Sequence, residues 1–274
     1  MLFRGFTRSK VMNRLTRALL RACLAALAFY AFPTFESFGK NSVYLSVQDD
    51  AARKFDEYEF LPTDDEAARL DAFFNELRTQ HNMRGYIVGY HAPQIERGIF
   101  LRRVHGDKRY LTEARGLEPN RIIVLDGGYK GVLTIELWLV PDGAPPPQPT
   151  ATVPRPRINY QASYKFDMEC LECSPAANLD LYGLGEGLKF YADELRRQPN
   201  SRGLILVRPG RYVAMRRALS EARQAKKLLV QDYRINASRI VIKAGARDKD
   251  NVAAAEMWVV PRGAKLPTLA RTAR

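Results

Sequence analysis

The 274-residue chain predicts an α/β fold of the α+β two-layer kind, built twice. Each copy should run β-α-β-α-β-β, with a mixed sheet and its helices on one face. Three observations carry this expectation. Two segments align with each other over most of their length, with Phe55/Phe166, Leu77/Leu195, Gly85/Gly203, Leu111/Leu229, Arg121/Arg239, Trp138/Trp258 and Pro141/Pro261 as matched pairs. Within each segment helical and strand periodicities alternate in the same order. Between the segments lies DGAPPPQPTATVPRPR, Asp142–Arg157, which holds six prolines. Each copy is long enough to fold alone, so the repetition reads as duplicated domains and not as a solenoid.

A short strand opens each copy, Arg53–Tyr58 in the first and Tyr164–Met168 in the second. The spacing of Ala67, Leu70, Phe73, Phe74 and Leu77 predicts a helix over Asp64–Gln80, with Thr63 or Asp64 placed to cap it and acids in its first turn. Its counterpart covers Leu181–Arg197. The glycine-rich run Gly183–Gly187 reads as a weak helix start, because it does not follow a strand as a dinucleotide loop would. GYIVGY and GLILV give the next strand. A second helix is expected over Gln94–Glu113, and over Val213–Tyr233. In the latter, Met215, Leu219, Ala222 and Leu229 supply a buried stripe, and Arg217 and Glu221 are spaced to pair. Two strands close each copy, NRIIVLDGG with VLTIELWLV and SRIVIKAG with AAEMWVV. LDGGYKG, Leu125–Gly131, lacks the phosphate-loop lysine pattern and joins two strands, so it reads as a hairpin turn. Trp138 and Trp258 occupy matching strand positions and read as packing residues.

The expected boundaries are a signal peptide or membrane anchor over 1–39, a first copy over 40–141, a linker over 142–157, a second copy over 158–264 and a basic tail over 265–274. The linker is a polyproline-type spacer, rising about 3.1 Å per residue where extended, that either separates the copies or lies along one of them. At the N-terminus six basic residues precede the apolar run Ala22–Phe32. That is the layout of a secretory signal, and the run falls short of the roughly 20 apolar residues of a comfortable span. Export then governs Cys170 and Cys173 in MECLECS, which read as a local disulfide, with free thiols or a redox pair as the alternatives. No second CxxC follows, and His81, His91 and His105 lie far from the cysteines in sequence. No metal and no cofactor are expected.

The stretch RPGRYVAMRRALSEARQAKKLL, Arg208–Leu229, falls across the end of the second copy's second strand and its second helix. There Leu219-Ser220-Glu221-Ala222-Arg223 resembles the Leu-Ser-x-x-Arg stretch of OmpA-like domains, the cell-wall-anchoring modules of bacterial envelopes. The resemblance covers the topology of each copy and about eleven residues of motif. It implies a periplasmic or envelope location and non-covalent attachment to peptidoglycan. In that family an Asp after the second strand and the helix Arg hold the two ends of a zwitterionic diamino acid. Here the Asp position is Arg208 and the family's Asn position is Arg216; in the first copy Tyr90 and His105 stand at the Asp and Arg positions. A site of Arg208, Arg211, Arg216, Ser220 and Arg223 would repel an ammonium group and favour an anion.

Charge follows the same division. Residues 51–141 carry 13 basic and 14 acidic side chains, residues 158–264 carry 18 and 12. Arg216, Ser220, Arg223 and Lys227 share one helix face. Aromatic residues are not interleaved with these cations, which argues against nucleic acid. No nucleophile-base or paired-carboxylate constellation is visible, so no enzyme is expected. The expectation is an exported envelope protein, in contact with the membrane only through an uncleaved N-terminal segment. Its partner would be peptidoglycan or another anionic envelope polymer. The alternative is a structural module or one that binds an envelope protein.

Overall fold

The computed structural model describes residues 51–171, 183–247 and 250–267. The expected signal or anchor, Cys173 and most of the basic tail lie outside them; Cys170 closes a strand. The first copy comprises β1 (Arg53–Tyr58), α1 (Thr63–Thr79), β2 (Met83–His91), α2 (Arg97–Arg109), β3 (Ile122–Tyr129) and β4 (Thr134–Pro141). The second comprises β5 (Tyr164–Cys170), α3 (Gly183–Arg197), β6 (Arg202–Arg208), α4 (Met215–Gln231), β7 (Ile240–Ala244) and β8 (Ala254–Val260). The sheets share one order, β1-β4-β2-β3 and β5-β8-β6-β7. β2 and β3 are parallel, as are β6 and β7, and the remaining pairs are antiparallel.

Alternation along β2 puts both helices of the first copy on one face of its sheet. A Cβ at Gly85 would meet Phe73 and Leu77 of α1, and one at Gly89 would meet Phe100 and Val104 of α2. Between helices and sheet Leu70, Phe73, Leu77, Ile87, Leu111 and Leu137 lose all exposure, and the second copy does the same with Phe166, Leu188, Tyr191, Leu195 and Leu229. The matched arginines brace both copies identically. Arg121 donates to the carbonyls of Leu77 and Gln80, both at 2.8 Å, and Arg239 to those of Leu195 and Gln198, at 2.7 and 2.9 Å. These are carbonyls at the end of the first helix, which lack intrahelical donors.

Several local expectations are corrected. α1 starts from Pro62, and neither Thr63 nor Asp64 supplies a side-chain cap. Glu66, in its first turn, points inward and is 1% exposed. α2 starts three residues later than expected, after a turn in which the Ile95 amide donates to Ala92, and it ends in a π-helical turn, Tyr110–Ala114. The Leu117 amide there reaches back to the Leu111 carbonyl at 2.9 Å across Gly116, whose φ is +74°. LDGGYKG is mostly strand, because β3 continues to Tyr129 and the hairpin turn follows it. In α4 the buried stripe is Ala218, Ala222, Ala225 and Leu229; Met215 and Leu219 are half-buried on its flank.

The linker lies along the first copy. The amides of Thr152 and Val153 donate to the Tyr129 carbonyl, at 2.9 and 3.0 Å, and the Thr150 amide donates to the Tyr90 hydroxyl at 3.1 Å. Residues Val47–Arg274 therefore form one compact unit rather than two separated beads. The seam between the copies is made by α2 against α3 and β5. Arg102 forks onto Asp167, Lys165 pairs with Glu96 at 2.7 Å, and the His105 and Phe190 rings lie 4.9 Å apart. Gly98 is required there, since a Cβ would sit 2.5 Å from the Asp167 side chain. Among the described residues no helix is long and apolar enough to cross a membrane.

Candidate functional site

The helical period of α4 turns its alanine stripe inward and leaves Arg216, Ser220, Arg223 and Lys227 exposed on the outer side. No acid occupies the first turn, and no side chain caps the Ala214 end. The ion pairs among the described residues do not include Arg216, Arg223 or Lys227, nor the expected Arg217–Glu221 pair. Arg211 lies in the loop before α4, exposed, with its guanidinium 5.5 Å from the Tyr212 ring centroid.

Arg208 does not join this group. It is the last residue of β6, where it pairs with Ala254 of β8 and shares a sheet face with Leu204 and Leu206. That face is the one turned away from α4. Its guanidinium meets the Glu256 carboxylate at 3.1 Å, and the same carboxylate accepts from the Trp258 indole at 2.8 Å. Arg208 and Arg223 thus stand on opposite sides of the sheet, and the family's two-residue clamp is not assembled. The structure brings together Arg216, Ser220 and Arg223.

The first copy explains the reversed charge. Tyr90, in the place of Arg208, donates to Glu136 at 3.1 Å, and Trp138 donates to it at 2.9 Å. Lys54 and Lys130 complete the cage at 2.9 and 3.0 Å. Burial works to raise the Glu136 carboxyl, but the bonds from Lys54, Trp138 and Lys130 outweigh it and hold the group below its ordinary value. In both copies, then, a residue at the C-terminal end of the second strand, Tyr90 or Arg208, answers a buried glutamate on the last strand. The signal was present as Glu-x-Trp in both copies, Glu136–Trp138 and Glu256–Trp258.

His105, in the place of Arg223, is half-buried under Phe190 of the second copy. Burial, then the charges of Lys189 and Lys108, lowers its pKa, so the neutral imidazole is favoured. The helix face that carries cations in the second copy is therefore used in the first to seat a protein surface.

A second polar cluster escaped the sequence reading. Glu66, Arg103, Asp107 and Tyr58 meet between α1, α2 and β1, each at most 5% exposed. Arg103 Nε lies 2.5 Å from Glu66, and the Tyr58 hydroxyl donates to Asp107 at 3.3 Å. Two carboxyls share one guanidinium, so a proton on the pair makes the cluster neutral. Burial raises the Glu66 carboxyl to about 7 against the pull of Arg103, and burial together with Glu66 raises Asp107. Glu66 lies four residues before Leu70, a spacing that places both on one helix face. Among the described residues no group of His, Cys, Asp and Glu is arranged to hold a metal ion. Compared with family models and with curated proteins, the sequence matches none.

Proposed function

We propose that this chain is an exported, non-enzymatic protein of the bacterial envelope. In this reading two OmpA-like domains share one compact unit, and the α4 face holds peptidoglycan or another anionic envelope polymer. The observation that carries this reading is the exposed row of Arg216, Ser220, Arg223 and Lys227, with no carboxylate paired to its cations among the described residues. Guanidinium groups spaced along one side of a helix suit a repeating array of carboxylates or phosphates. Arg208 plays no part in that surface, because Glu256 already occupies it.

The test is sedimentation of the full chain with purified peptidoglycan and with polyglutamate at low salt. Binding should fall steeply as salt rises, since exposed charges are screened beyond about 10 Å at 0.1 M. Combined alanine substitution of Arg216, Arg223 and Lys227 should abolish it. Retention by the triple variant would sink the reading.

A second reading draws on α2. The equivalent helix of the first copy seats a protein, namely the second copy, so the α4 face would dock an envelope protein instead. Failure of both polymers to bind, with loss of a co-purifying partner in the triple variant, would favour it.

A further inference from the structure

A cleft runs along the seam between the copies, and its walls meet at Arg97, the first residue of α2. Three hollows of about 660, 410 and 250 Å³ all have Arg97 in their walls. The end of the linker contributes Arg155 and Arg157, β3 contributes Tyr129, and the second copy contributes Tyr160 and Arg262. The two larger hollows fall within the range of small-molecule sites.

The charges here are unbalanced. Each acid at the cleft has a closer partner than Arg97: Glu194 pairs with Arg197 at 2.6 Å while also feeling the charge of Arg97, Glu96 pairs with Lys165 at 2.7 Å, and Asp126 lies 3.4 Å from the His91 ring and 3.7 Å from Arg155. Arg97 keeps its Nε shielded from solvent with no hydrogen-bond partner among the described residues. A donor so placed loses its water without gaining an acceptor, which costs free energy unless a ligand supplies one. An anionic acceptor suits the site, because Arg262 lines the larger hollow and Arg155 and Arg157 line the next, each beside Arg97 and Tyr160. The planar guanidinium fork matches the paired oxygens of a carboxylate or phosphate. Tyr160 leaves 49% of its surface exposed and is braced edge-on by Tyr164 at 5.9 Å. Its ring offers a fixed apolar platform beside the guanidinium.

We propose that the seam cleft binds a small ring-bearing anion, a carboxylate or phosphate on a sugar-like ring, with Arg97 holding the anionic oxygens and Tyr160 covering the ring. The site is separate from the α4 face and stands whether or not that face binds a polymer.

Isothermal titration calorimetry on the full chain tests this, with glucuronate, a glucose phosphate and uncharged glucose as probes. One charged sugar should bind saturably and glucose should not; which one binds identifies the anionic group. Arg97→Ala and, separately, Arg157→Ala should each weaken binding, the former by about tenfold or more. Tyr160→Ala should weaken it several-fold, and Arg223→Ala should leave it unchanged. Among the described residues neither the Arg97 nor the Arg157 side chain makes a hydrogen bond to another group, and Glu194, which feels the charge of Arg97, keeps its bonds from Arg197 and Tyr164, so unchanged circular dichroism is expected. No saturable binding of either charged sugar, or equal binding by wild type and Arg97→Ala, overturns the proposal.

Discussion

Arg102 of the first copy holds Asp167 of the second with two hydrogen bonds, 3.0 Å from Nε and 2.9 Å from a terminal nitrogen, in a seam where Asp167 has no exposure. The pair makes the tandem repeat a single body. Arg102→Ala takes the guanidinium fork from a buried carboxylate that keeps the Met168 amide as a donor, and the expected loss is about 3 kcal/mol of unfolding free energy. Guanidinium denaturation followed by circular dichroism checks this. A loss below about 1 kcal/mol would mean that the seam is held by its apolar contacts alone.

The Arg208–Glu256 pair yields a prediction that separates stability from binding. Arg208→Ala leaves Glu256 buried with the Trp258 indole as a remaining donor, and should cost about 1–3 kcal/mol. Arg208→Asp sets two carboxylates together and should cost more. Neither substitution should alter association with polyglutamate, because Arg208 faces away from α4. A drop in polymer binding by a folded Arg208→Ala variant would place Arg208 in the ligand surface after all.

Glu66 and Asp107 make stability depend on pH. The folded chain holds a proton on Glu66 up to about 7, whereas an unfolded glutamate releases it near 4.5. Between these values the folded state binds more protons, so this contribution is full below the lower value and is lost as pH rises toward the upper one. The loss is on the order of 3 kcal/mol across the window, at about 1.4 kcal/mol per pH unit. Other groups titrate in the same range, His105 among them, so the measurement is the difference between wild type and Glu66→Gln. Chemical denaturation from about pH 4 to about pH 8 should show the advantage of wild type over the variant shrinking as pH rises. A flat difference would mean that Arg103 compensates both carboxylates.

The architecture was open to reading because periodicity and the matched pairs report on burial, and burial is similar in the two copies. Leu77/Leu195 and Gly85/Gly203 mark the same helix-on-strand contact twice. What escaped was pairing across strands and across copies. Arg208 looked like part of a basic helix surface because its neighbours in sequence are Arg211 and Arg216, while its partner Glu256 is two strands further along the chain. Glu66 looked like a first-turn acid, the commonest place for one, although its spacing to Leu70 set it on the inner face. The seam depends on which side of α2 the second copy covers, and single-chain patterning carries no such information beyond Gly98.

The close of α4 supplies the last test. Both copies end their second helix by the same backbone bond, Leu117 to Leu111 and Ile235 to Leu229, each at 2.9 Å. The residue before the donor must adopt a positive φ. The first copy uses Gly116 at +74°, but the second uses Arg234 at +57°. A side chain in this left-handed region costs about 1–2 kcal/mol, part of which a glycine forfeits through the greater freedom of its unfolded chain. Arg234→Gly should therefore stabilise the protein by roughly 0.5–1 kcal/mol, raising the thermal midpoint by a few degrees for a domain pair of this size. Gly116→Ala should do the opposite. Scanning calorimetry on the two variants checks the pair of signs, and a destabilised Arg234→Gly would show that the Arg234 side chain holds the helix end through contacts that outweigh its backbone cost.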